Sequence, residues 1–372
     1  MSIVKLITPE LKVRTAMVYA GGTISSLKTN DGYCEGGHVV DCATKIRENA
    51  PDIAENFDLV RTEVAYTGLS ENMDQGYWND IARAVRSALE TSPKAIIVTH
   101  GTDSMEQTAR FLQKELGELL TQKGTQVILT GANKDLSDPS TDAWNNLGFA
   151  FESAKDSTKP GVFVAFYRKL ISAELIVKEP FNGTEMQYTS LNEPEYLDAK
   201  WIQDKQADKL IAELKQKFGI NIETMTDTVV QYPVNVIRSN HNDFLDYVKQ
   251  RNVKAVLLVL YHSGTANTEK SELSVAKLVK NLREQYGIVF FGVTENGEPA
   301  DLHAYETSVK LREAGVIPLY NMNQAVALAK LQLAVPKGPG QIIDFMLTNV
   351  AGEIDETRII NEDIEKLQRL YT

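Results

Sequence analysis

Short apolar runs alternate with amphipathic stretches along the first half of the chain. AMVYA (16–20), AIIVT (95–99), QVILT (126–130) and GVFVAF (161–166) are nearly uninterrupted apolar segments, the pattern of strands buried on both faces. LVRTEVAY (59–66) predicts a further short strand. Between these runs, Trp78, Ile81, Ala82, Val85 and Leu89 recur at helical spacing. So do Thr108, Phe111, Leu112, Glu115, Leu116 and Leu119, whose apolar members share one face. Strand and helix in alternation predict an α/β fold built on a mainly parallel sheet with flanking helices. Ligands of such sheets sit beyond the carboxyl ends of the strands, and the polar clusters of this half fall at those ends.

A second, smaller series follows. VVQYPVNVI (229–237) and AVLLVLYHSG (255–264) hold strands, ELSVAKLVKNLREQY (272–286) reads as a helix, GIVFFGVT (287–294) as a strand and MNQAVALAKLQLAV (322–335) as a helix. The polar, charged stretch 201–226 separates the two series and reads as a linker. A length of 372 residues exceeds one ordinary core. The expected organisation is a larger N-terminal domain over 1–200, a linker over 201–226 and a smaller C-terminal parallel α/β domain over 227–372.

Composition acts mainly by exclusion. Hydrophobic content of 43% and charged content of 24% suit a globular chain. Fifty acidic against 39 basic side chains give a formal charge of −11, which argues against nucleic acid as a general ligand because phosphate binding needs a basic field. The N-terminal MSIVKLITPELKVR shows no secretory h-region, and no apolar stretch suggests a membrane span, so a cytoplasmic protein is expected. Cys34 and Cys42 make no disulfide framework. There is no GxxxxGK[ST] loop, no GxGxxG after the first strand, no HExxH and no GxSxG. The five histidines are scattered, so neither a nucleotide cofactor nor a metal is expected.

Three loops carry the candidate chemistry. In MVYAGGTISS (17–26) an apolar strand ends in Gly21 and Gly22 and presents Thr23, Ser25 and Ser26. In TGLSENMDQGYW (67–78) a strand gives way to Ser70, Glu71, Asn72 and Asp74 before a helix, with Asp74 placed as its N-cap. In VTHGTDSMEQTA (98–109) Gly101 permits a tight turn, and Thr102, Asp103 or Ser104 can cap the next helix with Glu106 completing a capping box. Taken one at a time, these local patterns are explained by a tight turn in the first and by capping in the other two. The long polar loop in LTGANKDLSDPSTDAWNNL (129–147) places Asp142 as a cap and Trp144 and Leu147 as core.

Together, AGGTI, THGTDSMEQTA and TGA…S.D…NNL, in this order and spacing, resemble the bacterial-type L-asparaginase/glutaminase family, and the likeness covers nearly the whole chain. GLSENM…W sits at that family's substrate-holding serine segment, and YHSGTAN (261–267) matches the loop that opens its C-terminal domain. SLKTNDGYCEGGH (26–38) points to the cytoplasmic, type I-like branch. The resemblance implies hydrolysis of the side-chain amide of asparagine, and of glutamine as an alternative, without a cofactor. It implies Thr23 as the acyl-accepting nucleophile, assisted by Tyr33, and a second set of Thr102, Asp103 and a lysine matched by Lys178. Ser70 and Glu71 match the residues that hold the substrate's α-carboxylate and α-amino groups, with Asp103 also on the ammonium. Gly22 and Gly101 let the backbone approach the substrate, and the 21–23 turn offers N–H donors for an oxyanion.

The lysine segment departs from the family pattern: A-E-L-I-V-K (173–178) puts Glu174 and Val177 at the usual arginine and threonine positions, and Lys169 competes with Lys178. Ala143 stands where the third loop usually has glycine. His100 reads as a packing or hydrogen-bonding residue; His262 lies where it could serve a neighbouring subunit's site. Family members are homo-oligomers with sites at the seam between one subunit's large domain and a neighbour's small one, implying a dimer-based tetramer. Two other readings remain: an ammonia-supplying amidotransferase subunit and a non-catalytic amino-acid binder. The first needs a partner and usually a further N-terminal domain, and the acidic balance also argues against it; the second is motivated by the altered lysine run.

Overall fold

The computed structural model describes residues 12–28, 34–35, 48, 51–135, 138–156, 159–178, 188–190, 205–214, 216, 229–234, 241–270, 272–295, 300–319, 322–334, 339–350, 352–354 and 366–371. The larger sheet has six strands: β1 (Val13–Ala20), β2 (Phe57–Tyr66), β3 (Ala95–His100), β4 (Gln126–Thr130), β5 (Gly161–Phe166) and β6 (Lys169–Ser172). Their order is β2-β1-β3-β4-β5-β6. All neighbours run parallel except β5 and β6. The apolar runs that predict strands fall in β1 to β5, and both faces of this sheet are covered, as a crossover-connected parallel sheet requires.

The antiparallel edge strand β6 has no counterpart among the predicted elements. Its hairpin turn carries Tyr167 and Arg168 at φ 45° and 59°, the left-handed pair of a two-residue turn normally read from Asn-Gly or Asp-Gly. Without a glycine, the turn leaves no signal in the sequence.

Two helices flank the front strands. The first, α1 (Gln75–Leu89), buries Trp78, Ile81, Ala82, Val85 and Leu89. The second, α2 (Met105–Lys123), buries Thr108, Leu112 and Leu116 and ends in the left-handed Gly124. A third, α3 (Ala143–Asp156), packs Leu147 and Phe151 on the other face, with Trp144 partly buried against the same cluster.

A second sheet, all parallel, runs β9-β10-β11-β12 with β9 (Val229–Pro233), β10 (Ala255–Leu260), β11 (Val289–Thr294) and β12 (Ile317–Pro318). The labels β7 (Ile176–Lys178) and β8 (Tyr188–Ser190) belong to a small antiparallel pair between the sheets in sequence. Helices α4 (His241–Arg251), α5 (Val275–Tyr286), α6 (Glu306–Ala314), α7 (Gln324–Ala334) and α8 (Pro339–Leu347) accompany the second sheet. Three of the expected boundaries that move inward do so for a local reason. β10 stops at Leu260 because Gly264, at φ 70°, closes a turn by donating its N–H to the Tyr261 carbonyl at 2.9 Å. The helix expected from 272 starts at Val275 because the Ser274 hydroxyl caps Lys277 N. The strand expected from 287 starts later because Gly287 is the left-handed C-cap of that helix.

One buried cation anchors the C-terminal part. Lys330 is fully buried, and its Nζ donates to the Met346 carbonyl at 3.1 Å, the Thr348 carbonyl at 2.5 Å and Glu353 Oε1 at 2.5 Å. All three ammonium protons therefore have acceptors. Burial pushes this lysine below its ordinary value, and Glu353 pulls it back up. Lys330→Met leaves Glu353 as an uncompensated buried charge and lowers unfolding free energy by about 3–5 kcal/mol, seen as a reduced urea midpoint at constant slope. An unchanged midpoint would show that the segment 346–354 is not held this way.

Candidate active site

The strand order β2-β1-β3-β4-β5 reverses direction between β1 and β3, and such a switch point opens a crevice at the carboxyl ends of the strands. The register makes those ends coincide: Ala20 stands beside His100 on one side and Tyr66 on the other. The loops that follow the three strands therefore start level with one another. They carry Gly22 and Thr23, Ser70 and Glu71, and Gly101, Thr102 and Asp103, all lining one small cavity. The enclosed space between them is about 10 Å³, room for about one water and far below the ~300–1,000 Å³ of drug-sized sites. A larger cleft, of about 430 Å³, lies beyond the Ser70 turn, between the end of β2 and Glu269 and Glu306, and does not include the paired threonines.

Backbone packing demands the glycines. Gly22 has φ 83°, and a Cβ there would stand 2.2 Å from Gly101 Cα and N. A Cβ on Gly101 would in turn stand 2.4 Å from Ser70 Oγ. The two loops thus touch main chain to main chain. Gly22 N donates to the Gly68 carbonyl at 3.0 Å, which removes it from the N–H groups expected to face an oxyanion. Thr23 opens a single 3-10 turn and is 5% exposed. Ser26 ties that turn through its hydroxyl to the Gly22 carbonyl at 2.9 Å. The Ser25 hydroxyl is buried without a partner among the described residues.

The expected capping box at α2 does not form. Ser104 is the N-cap, but its side chain makes no cap bond; the hydroxyl donates instead to the Ser70 carbonyl at 2.7 Å. Glu106 accepts from Lys178 N at 2.7 Å and so anchors β7. Thr102 and Asp103 are engaged with Lys178, whose Nζ is 2.7 Å from Asp103 Oδ1 and 3.5 Å from Thr102 Oγ1. Cross-strand from Lys178, Tyr188 donates its hydroxyl to the Thr102 carbonyl at 2.5 Å. The altered run 173–178 does not displace the lysine: Glu174 is exposed in the turn, Val177 pairs with Thr189, and the Lys178 side chain is 4% exposed. Lys178, and not Lys169 at the start of β6, makes the ion pair with Asp103.

Two other expectations can be placed. Asp74 does cap α1, accepting from Gly76 N at 2.8 Å and Tyr77 N at 3.2 Å. The Asp142 carboxylate, expected as the cap of α3, reaches back instead to Asn133 N at 2.9 Å and Lys134 N at 3.1 Å, closing the polar loop on itself. Tyr33 and Cys42 lie outside the described residues, and Cys34 is described only by its backbone.

The second sheet closes the cavity. Ser263, in the loop after β10, and Tyr305, the N-cap of α6, line it. Thr265 donates its hydroxyl to Asp103 Oδ2 and Ser263 donates to Oδ1 at 3.3 Å. Thr307 donates to Glu71 Oε1 at 2.5 Å. Asn267 Nδ2 donates to the Asn72 carbonyl and Thr268 N to Asn72 Oδ1, both at 2.9 Å. The place that the resemblance gives to a neighbouring subunit is filled here by the same chain. Sequence reading missed Thr265, Tyr305, Thr307 and Tyr188 as site residues. Only Thr265 lay in a quoted motif, and nothing local distinguishes any of them from ordinary core or loop residues.

Electrostatics differ sharply between the two carboxyls. Burial pushes Glu71 up, the Asp103 charge pushes it further, and the result is about 8 despite the opposing Thr307 hydrogen bond. Burial also pushes Asp103 up, but the Lys178 ammonium and the hydrogen bonds from Lys178 and Thr265 bring it below its ordinary value. Burial lowers His100 to about 4, so the ring is neutral. Its Nδ1 lies 2.7 Å from the Gly101 carbonyl and its Nε2 2.9 Å from Thr108 Oγ1, which fixes Nδ1 as the donor and the turn carbonyl in place. Burial and then Lys178 lower His262 to about 3 against the opposing pull of Asp103. Among the described residues no group of three or more His, Cys, Asp or Glu side chains is placed to hold a metal, and no helix is long and apolar enough to cross a membrane.

The asparaginase N-terminal family model matches residues 14–204. Similar curated proteins include a glutamyl-tRNA(Gln) amidotransferase subunit of Sulfolobus acidocaldarius, 26% identical over 352 residues, spanning 91% of this chain and 75% of that protein. The protein of the same name from Saccharolobus solfataricus is 27% identical over 360 residues, spanning 92% and 77%. Similar solved structures include the thermostable L-asparaginase from Thermococcus kodakarensis, at 20% identity over 92% of this chain and 99% of that one, with a TM-score of 0.41. A probable cytoplasmic L-asparaginase from Campylobacter jejuni is at 19% identity over 91% and 100%, also with a TM-score of 0.41.

Proposed function

The chain belongs to the asparaginase family, and on that premise we propose that it hydrolyses the side-chain amide of L-asparagine to L-aspartate and ammonia. The observation that carries this reading is the buried contact of Lys178 Nζ with Thr102 Oγ1 and Asp103 Oδ1 beside Thr23 in one cavity. A threonine hydroxyl attacks a carbonyl only when its proton is taken. Thr23 Oγ1 forms a bond to the amide carbon as its proton passes by way of the Thr102 hydroxyl, held by the Lys178 ammonium, to the amide nitrogen. The carbon–nitrogen bond then breaks, and the nitrogen leaves as ammonia. Water cleaves the resulting ester, returning the hydroxyl proton to Thr23 and releasing aspartate. Thr23 N–H, at the start of the 3-10 turn, is the donor proposed for the oxyanion. Ser70 holds the α-carboxylate, and Glu71 with Asp103 holds the α-ammonium. Gly22 and Gly101 admit the substrate against the backbone. The proposal extends to a protein acting in the cytoplasm as a homo-oligomer, a dimer or a dimer-based tetramer, with domains divided near residues 200 and 227.

Ammonia release from L-asparagine by the purified chain tests the activity, with L-glutamine and the D-isomers as comparisons. No release from any of them would reject it. A second reading, ammonia supply within an amidotransferase, is favoured by the names of the 26–27% identical relatives. It requires co-purification of a second protein chain and tRNA-dependent turnover.

The raised Glu71 gives a pH signature. Below about 8 its carboxyl keeps its proton, and a neutral acid holds an ammonium less well than a carboxylate does. The value of kcat/KM for asparagine therefore rises as pH passes through that range, until the substrate's own ammonium deprotonates. The limb is a property of the Glu71–Asp103 pair. Glu71→Gln removes it, and a profile with the same limb in that variant would assign it to another group.

A further inference from the structure

The two carboxyls of the cavity are not held by their own sheet. Asp103 leaves the start of α2 with Oδ1 on Lys178, and its Oδ2 is met by the Thr265 hydroxyl. Glu71 sits in the 3-10 turn after β2, and its Oε1 is met by the Thr307 hydroxyl at 2.5 Å. Both threonines are buried, at 0% and 1% exposure, so neither hydroxyl has water as an alternative. The two loops that carry them are joined: Ser308, next to Thr307, donates its hydroxyl to the Gly264 carbonyl, next to Thr265, at 3.1 Å. Tyr261 N donates to the Thr265 carbonyl at 3.0 Å and fixes that turn. The second sheet thus presents two donors as one unit to two buried carboxyls of one cavity.

We propose that Thr265 and Thr307 are positioning residues for recognition of the substrate's α-ammonium, each fixing one of the two carboxyls that face it. The proposal rests on the reading above that Glu71 and Asp103 hold that ammonium. Neither threonine touches the amide that reacts. Their loss is felt in the KM of a substrate that carries the ammonium and not in that of one that lacks it. A buried threonine that merely satisfies its own hydroxyl would affect both substrates alike.

The test compares L-asparagine with succinamate, which keeps the amide and the carboxylate and lacks the α-amino group. In the full chain, Thr307→Val raises KM for asparagine by about tenfold to a hundredfold and leaves succinamate kinetics unchanged; Thr265→Val raises KM for asparagine by a similar factor, and because Asp103 also holds Lys178 it lowers kcat on both substrates. Thr265→Ser and Thr307→Ser, which keep the donor, restore the asparagine value. Equal rises in KM on both substrates, or no rise on either, overturn the proposal. If the wild-type chain hydrolyses neither compound, the hydrolytic reading fails, and the clamp is read by carboxyl carbon-13 NMR of the ligand-free protein. There Thr307→Val moves the Glu71 titration upward and Thr307→Ser returns it; a Glu71 titration that does not move in Thr307→Val overturns the clamp.

Discussion

Thr102→Val lowers kcat for ammonia release by about 10²–10⁴-fold with little change in stability. Valine keeps the shape of threonine and removes only the oxygen that Lys178 Nζ reaches at 3.5 Å. Lys178→Met produces a comparable loss of turnover by removing the other end of that contact. It differs in stability, because Asp103 then remains buried without its ion-pair partner at 2.7 Å, a cost of about 3–5 kcal/mol. The double variant is no slower than the worse single one, because the two groups act as a unit. Single-turnover ammonia measurements on the three variants, with urea melts alongside, check each part. Multiplicative losses in the double variant would mean that Thr102 and Lys178 serve separate steps. Retained turnover in Thr102→Val would remove this threonine from the proton path and leave Thr23 to another base.

Gly22→Ala is expected to damage both fold and activity. Its backbone sits at φ 83° and ψ 179°, a region open essentially to glycine alone, where an L-residue costs about 1–3 kcal/mol. The new Cβ would also stand 2.2 Å from Gly101 Cα and N and 2.6 Å from the His100 carbonyl carbon. These are backbone atoms at the ends of β1 and β3, held by the parallel register and by His100 on the Gly101 carbonyl, so no side-chain rotation relieves the overlap. The loops must separate, carrying Thr23 away from Thr102. A displacement of about 1 Å at a reacting group costs about 10²-fold in rate. A lowered thermal midpoint together with a loss of that order is the expected result. Gly124→Ala is the contrast: its φ is 64°, but no heavy atom lies within 4 Å of the added Cβ, so it carries the conformational cost alone and leaves turnover intact. If both variants behaved alike, the close approach of the two loops would not be what positions the threonines.

Much of the α/β pattern was readable because buried parallel strands and amphipathic helices impose periods that a sequence shows directly. Asp74 is a case where local reading sufficed, because a cap bond closes within three residues. Ser104 and Glu106 are the opposite case. They fit a capping box, yet their side chains bond to Ser70 and Lys178, 34 and 72 positions away. Local pattern cannot rank a cap bond against a distant partner that packing brings equally close. The same limit hid β6, whose turn uses Tyr167 and Arg168 at positive φ instead of glycine.

By itself, the sequence determined two strand–helix series and a row of polar loops after the strands. It also determined two glycine–threonine turns and the likeness that pairs them, since these depend on residue type and spacing alone. Tertiary structure decided which hydroxyls and charges share the cavity. It brought Lys178 to Asp103 across 75 positions, Thr265 to Asp103 across 162 and Thr307 to Glu71 across 236. It also decided that two buried carboxyls of one cavity titrate apart, with Glu71 raised and Asp103 lowered. Burial and the position of one ammonium relative to two acids set that difference, and both are properties of packing between sheets rather than of any stretch of chain.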